Sequence, residues 1–220
     1  NRNKITVDEQ DAAQRLRIGV VGLSVGHAVA HTLALEGLCG ELRLADFDDL
    51  DLSNLNRVPA SVFDLGVNKA VLAARRIAEL DPYLTVTTFP TGIDEATTDA
   101  FLADLDIVVE ECDSIDAKVL VRQECRRRGI PVIMETSDGG VLDIERYDLE
   151  PDRPYFHGLL GDVDAAEVAG MTPQEKAPLA GRILDMEHIT LRMARSLPDI
   201  GTTLSTWPQL GSDVALGGAS

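Results

Sequence analysis

Strand-like and helix-like stretches take turns at short intervals through residue 136, and this alternation predicts an α/β fold: a doubly wound, mostly parallel sheet with helices on both faces. Two further observations agree. A glycine-rich turn joins the first strand to the first long helix. The composition, 45% apolar but only 4% aromatic, calls for an aliphatic core of Val, Leu, Ile and Ala. At 220 residues the chain fits one large domain. A domain of that size buries roughly 70% of its unfolded surface and needs no disulfide or metal staple.

Each element has its own signal. Thr6-Val7-Asp8-Glu9 is a capping box, which predicts a short helix reaching about Leu16. Residues 17–22 (RIGVVG) read as a buried strand, 22–26 as a turn, and 27–36 as a helix with Gly37 placed for a left-handed C-terminal cap. Residues 41–46 (ELRLAD) form the next strand. Val67, Val71, Ala74, Ile77 and Ala78 make one apolar helical face, stopped by Asp81-Pro82. A Thr/Val-rich strand over 84–89, a helix over 95–105 and a strand over 106–112 follow. A helix over 115–128, capped by Gly129, and a strand over 131–136 complete the alternation. No internal repeat or low-complexity tract interrupts it.

Past Asp138 the texture changes. Residues 139–147 read as an extended segment leaving the parallel sheet. Residues 151–178 carry four prolines and little periodicity, which predicts a long crossover loop, and loops of that length are often functional. A final amphipathic helix is expected over 179–197. A Gly/Ser/Thr-rich end over 201–220 holds the only tryptophan, Trp207.

Charge and cysteine content narrow the function. There are 37 acidic against 20 basic residues, a formal charge of −17, which repels phosphate backbones and anionic lipid. Nucleic-acid and membrane partners are therefore not expected. Residues 18–35 lack Asp, Glu, Lys and Arg, but Gly22, Ser24, Gly26, His27 and His31 make that stretch a strand, turn and helix rather than a membrane span. Cys39, Cys112 and Cys125 form no C-x-x-C pair, so neither a disulfide framework nor a structural zinc is expected, and a cytoplasmic setting is. The chain opens on Asn1 without a targeting segment, as a piece of a longer protein would.

The chemistry-bearing residues begin at the first turn, Gly22-Leu23-Ser24-Val25-Gly26. Backbone amides at such a turn approach a phosphate closely, and the following helix N-terminus favours the anion. The match to G-x-G-x-x-G is imperfect: Ser24 stands at the second Gly and the loop is one residue short. The same residues spell G-x-S-x-G, which would make Ser24 a hydrolase nucleophile, but only His157 and His188 could serve it as base. Asp46 ends the second strand, where an acid hydrogen-bonds a nucleotide ribose, and it suits NAD and ATP equally.

Specificity rises in the next stretch. Asp46-Phe47-Asp48, then Ser53-Asn54-Leu55-Asn56-Arg57, then Lys69 at a helix start and Asp113 after the fourth strand resemble the ThiF/MoeB-type adenylyltransferases, bacterial relatives of ubiquitin-activating enzymes. In that family D-x-D, S-N-L-x-R, a Lys and an Asp follow in this order and at close to this spacing. The opening Arg2-Asn3-Lys4 and the short first helix are similar too. The likeness runs well over residues 1–145 and more loosely beyond.

The resemblance implies a Rossmann-like domain spanning 1–220 that binds ATP and Mg²⁺ and activates the C-terminal carboxylate of a small ubiquitin-like or sulfur-carrier protein as an acyl adenylate. It assigns Asp46 to the ribose and Gly22, Ser24, Gly26, Asp48 and Asn54 to the nucleotide. Arg57 and Lys69 fall to the phosphates and Asp113 to the metal. It also implies a homodimer in which Arg2 reaches the neighbour's nucleotide. Three departures stand out. The glycine loop is short, the family's paired C-x-x-C zinc ligands are missing, and no cysteine follows residue 125, which disfavours a thioester step. The final Gly217-Gly218-Ala219-Ser220 falls where relatives begin a further sheet-and-helix segment, so more chain is expected after it. A nicotinamide-dependent oxidoreductase would use the same turn and Asp46 but leaves Arg57, Lys69 and Asp113 unexplained. A non-catalytic module retaining the fold is the other alternative.

Overall fold

A computed structural model describes residues 4–136, 142–184, 189–200, 202–204 and 208–219. Arg2, His188 and Trp207 lie outside the described residues. The elements are α1 (Val7–Ala13), β1 (Arg17–Val21), α2 (Gly26–Glu36), β2 (Glu41–Ala45), α3 (Lys69–Leu80), β3 (Thr85–Phe89), α4 (Thr98–Leu102), β4 (Ile107–Glu110), α5 (Ile115–Arg128), β5 (Val132–Glu135), β6 (Leu142–Glu145), α6 (Ala165–Ala169), α7 (Pro173–Ile183), α8 (Leu191–Ser196) and α9 (Gly211–Ala219). A six-stranded sheet runs β3-β2-β1-β4-β5-β6. Every pairing is parallel except β5 with β6, where Ile133 faces Ile144.

The strands read from sequence form because both sheet faces are covered. Val20, Leu42 and Leu44 sit against Ala30 of α2 and Ala73 and Ile77 of α3 in one core cluster. Phe101 of α4, Val119 and Cys125 of α5, and Val108 and Val132 belong to another. Parallel strands buried on both faces read as continuous aliphatic runs, as RIGVV does. The predicted punctuation is present: Thr6 and Glu9 cap α1 reciprocally, while Gly37 and Gly129 close α2 and α5 at φ +65° and +68°. Among the described residues no helix is long and apolar enough to cross a membrane.

Four expectations are corrected. The buried face of α3 is Lys69, Ala70, Leu72, Ala73 and Ile77; of the predicted stripe Ile77 is buried and Val67 and Ala74 pack partly against the core, while Ala78 is exposed. Alanines are small enough to let α3 lie flat on the sheet, and an apolar tally weighs them below valine. Beyond residue 141 the chain returns to the sheet as antiparallel β6 instead of leaving it. The 151–178 stretch is no loop: it holds a 3₁₀ turn at Tyr155–Gly158, α6 and the start of α7. The helix expected over 179–197 is accordingly replaced by α7, which begins at Pro173 under a Thr172/Glu175 capping box, and a separate α8.

Candidate functional site

The chain order reverses at β1, with β2 on one side and β4 on the other. Ligands of open α/β sheets bind in the crevice outside the strand carboxyl ends at such a switch point. A cleft of 570 Å³ opens there, lined by residues that include Gly22, Ser24, Asp46, Asp48, Asn54, Arg57, Lys69, Glu111 and Asp113. Eight of the nine residues named from sequence therefore share one cavity; Gly26 does not line it.

The turn is shaped by contact with β4. Gly22 has φ +84°, and a Cβ there would lie 2.7 Å from the backbone of Glu111 and Cys112, so only glycine fits. Gly26 acts one layer below: its Cβ would meet Val20 Cγ1 at 2.6 Å, so its smallness lets α2 sit down on β1. No side chain caps the α2 N-terminus, and no acid occupies its first turn. Asp46, buried at the end of β2, accepts from the Leu23 amide (2.6 Å) and the Asp48 amide (2.8 Å). Burial pushes its carboxyl up, and those two amides pull against it. Asp46 thus ties turn, strand and following loop together, with lone pairs remaining for further donors.

The cationic groups are held from below. The Arg57 guanidinium donates from Nε to Ser24 Oγ (2.8 Å) and from Nη1 to Asn56 Oδ1 (2.9 Å). Burial lowers its pKa, and Asp113 opposes that shift. Lys69 is almost wholly buried and donates to Asp48 Oδ2 at 2.8 Å. Its own amide donates to the Asp48 carbonyl (2.9 Å). Asn54 is buried and accepts from the Asp51 amide (3.0 Å), locking the 3₁₀ turn that precedes Arg57.

Two residues went unread in the sequence. Asn68 caps α3 by accepting from the Ala70 and Val71 amides, and its Nδ2 donates to the carbonyls of Asp46, Asp48 and Pro90. A polar residue just before a helix was the available signal. Glu111 is buried in the cleft floor, where it accepts from the Glu135 amide at 2.9 Å. Burial pushes its carboxyl up to about 8, and the adjoining Glu110 adds to the rise. No motif marks it.

Asp113 is exposed at the cleft rim but enclosed by the walls, which raises its carboxyl, while Lys118 and Arg57 draw it down. Among the described residues no group of three or more His, Cys, Asp or Glu converges as a metal cage. Asp113 is a hard oxygen donor on a cleft that other carboxylates, Asp46, Asp48 and Asp116 among them, also line, and it suits a magnesium ion that takes its other ligands from phosphates and water. Of the two bases named for the hydrolase alternative, His157 is engaged with Asp143 at 3.0 Å while Ser24 accepts from Arg57, and His188 lies outside the described residues.

Comparison with known proteins accords with this geometry. The ThiF family model matches residues 1–169. An uncharacterized protein of Mycobacterium tuberculosis (strain CDC 1551 / Oshkosh), MT1398, is 56% identical over all of this chain, which covers 31% of that protein's length. The molybdopterin-synthase adenylyltransferase of Escherichia coli (strain K12) is 30% identical over 88% of this chain and 80% of its own. The crystal structure of E. coli tRNA N6-threonylcarbamoyladenosine dehydratase in complex with ATP superposes with a TM-score of 0.57 at 27% identity, over 61% of this chain and 57% of that one.

Proposed function

The chain belongs to the ThiF family, and on that premise we propose that residues 1–220 form one cytoplasmic nucleotide-binding domain of a Mg·ATP-dependent adenylyltransferase. Its substrate in this reading is the C-terminal carboxylate of a small ubiquitin-like or sulfur-carrier protein. A carboxylate oxygen attacks the α-phosphorus, the bond to the bridging oxygen of pyrophosphate breaks, and an acyl adenylate and pyrophosphate result. Positioning and charge stabilisation carry most of such a reaction. Asp46 accepts from the ribose, and the turn at Gly22 and Ser24 receives phosphate at the uncapped α2 N-terminus. Arg57 and Lys69 meet the charge growing on the phosphates, with Asn54 and Asp48 setting their positions. Gly26 serves by packing alone. Magnesium, held by Asp113, would neutralise phosphate charge when bound.

The observation that carries the reading is the convergence of Arg57, Lys69 and Asp113 on one cleft around the glycine turn. A nicotinamide dinucleotide would need neither the lysine nor the metal-holding acid. A thioester step is disfavoured by the thiols themselves. Burial pushes Cys39 up to about 11 and Cys125 higher, and Cys112, which donates to Glu110 at 2.8 Å, stands well above its usual value. The E. coli dehydratase acts, by its name, on tRNA; the charge of −17 favours a protein carboxylate here. Dimerisation, with Arg2 reaching the partner's nucleotide, belongs to the same proposal.

Calorimetry against Mg·ATP and NADH tests the nucleotide, and ATP–pyrophosphate exchange with a carboxylate protein captured in the presence of Mg·ATP tests the reaction. Tight NADH binding with none for Mg·ATP would overturn the proposal.

A further inference from the structure

The Arg57 guanidinium is gripped from two directions. Ser24 takes Nε on the glycine-turn side; Asn56 takes Nη1 on the other, with the Ser53 carbonyl at a longer 3.4 Å. Asn56 is itself anchored. Its Nδ2 donates to the Gln209 carbonyl at 2.8 Å, across 153 residues of sequence. Only one orientation of the amide satisfies both contacts, oxygen toward the guanidinium and nitrogen toward the carbonyl. The backbone there is close-packed as well: a Cβ on Gly211 would lie 2.3 Å from the Asn56 carbonyl oxygen and 3.5 Å from Arg57 Cα. From Gly211 the chain continues as α9, which packs against α2, with Val214 buried. The helix leading out of the glycine turn and the loop carrying Arg57 therefore share one support.

We propose that Asn56 is a positioning residue for Arg57, and that residues 209–211 hold it in place, making the α9 segment part of the phosphate site's support. The proposal rests on the role given to Arg57 above. Asn56 occupies the open position of S-N-L-x-R, so the motif itself assigns it nothing. With Nε and Nη1 committed to Ser24 and Asn56, the guanidinium plane is oriented before nucleotide arrives, and less ordering is left to be done on binding.

The test is a double-mutant cycle on the whole chain, read by calorimetry with Mg·ATP and, separately, adenosine, which carries no phosphate. Asn56→Ala should weaken Mg·ATP by about 3–10-fold, the worth of one hydrogen bond, and leave adenosine within about twofold. Arg57→Ala should weaken Mg·ATP further. The double variant should bind no more weakly than Arg57→Ala, because Asn56 acts only through the arginine. Gly211→Ala, which pushes on Asn56 from the α9 side, should reproduce the ATP-selective loss and stands in if Asn56→Ala does not fold. Equal losses for both ligands, full additivity with Arg57→Ala, or unchanged binding in Asn56→Ala and Gly211→Ala would overturn the proposal. If Arg57→Ala weakens Mg·ATP and Asn56→Ala does not, this inference falls alone. If Arg57→Ala is itself silent, the phosphate role of Arg57 falls with it.

Discussion

Glu110 and Glu111 are consecutive residues at the end of β4, and they live in opposite electrostatic worlds. Glu110 points into a closed knot, with Lys118 Nζ 3.1 Å from both its oxygens and Arg122 Nη1 at 2.6 Å. Arg122 is itself fully buried, 2.6 Å from Glu145 and stacked on Phe156 at 3.7 Å. Burial pushes Glu110 up, but Lys118 and Arg122 together bring it down to about 2. Glu111, the next residue, accepts from the Glu135 amide, and burial outweighs that amide and the pull of Lys118, so its carboxyl rises to about 8. Cations complete the charge set in the knot. In the cleft, burial wins over the surrounding donors and favours the neutral carboxyl of Glu111. The knot joins β4, α5, β6 and the 3₁₀ turn, and so explains why the chain beyond β5 folds back instead of wandering.

Breaking the knot should produce the largest effect. Arg122→Met takes the cation from buried Glu145 and leaves Glu110 with Lys118 alone, and removing one partner of a buried ion pair costs about 3–5 kcal/mol. Urea denaturation should show that loss. A change under about 1 kcal/mol would mean that water reaches Glu110 and Glu145, and the contrast with the cleft would collapse.

The same operation in the cleft should leave the fold standing and remove activity. Lys69→Ala unpairs Asp48, whose side chain is 52% exposed and open to water, and removes a charge that draws Asp46 down, so stability should fall by about 1–2 kcal/mol, less than for Arg122→Met. Loss of a charge that meets the transition state costs about 3–4 kcal/mol, or 10²–10³ in kcat, with a smaller effect on Mg·ATP binding. ATP–pyrophosphate exchange at the wild-type rate would make Lys69 a structural residue like Arg122. Asp113→Asn sharpens the point. It keeps the shape and loses the charge, so exchange should need more magnesium and recover in part at high concentration, which Lys69→Ala should not.

The two regions also differ in how much of them the sequence discloses. The helix over 115–128 is read to the residue, with Gly129 marking its end; the structure adds Ser114 as the cap at its start. Asp46, Arg57, Lys69 and Asp113 are legible because motif order and spacing mark them, and the structure brings all four to one cleft. Glu110, Arg122 and Glu145 are mute in sequence: a buried charge looks like a surface one until its partner from another element is known. Thr172-Pro173-Gln174-Glu175 carries the same capping signal as Thr6–Glu9, yet the surrounding prolines pointed to a loop; Pro173 sits at the helix start, where its missing amide costs nothing. The cap made by Asn68 has a local signal, but the carbonyls that Asn68 and Asn56 donate to lie 20 or more residues away, which no local pattern encodes.

The smallest effect separates the neighbours by pH. Glu110 is held below its unfolded value of 4.5, so its stabilisation is present above that pH and is lost as pH falls toward about 2. Glu111 is held above 4.5, so the folded state binds its proton more tightly than the unfolded chain does. Its contribution is full below pH 4.5 and is lost as pH rises through about 8. Glu111→Gln keeps the acceptor for the Glu135 amide and cannot ionise. The variant should match the wild type near pH 4.5 and exceed it as pH climbs. Water entering the cleft screens part of the ionisation cost, leaving a gain on the order of 1–2 kcal/mol at pH 8. Urea midpoints for both proteins between pH 4.5 and 8.5 measure it. Parallel curves would mean that Glu111 ionises as an ordinary surface acid, and that the cleft floor is as well solvated as its rim.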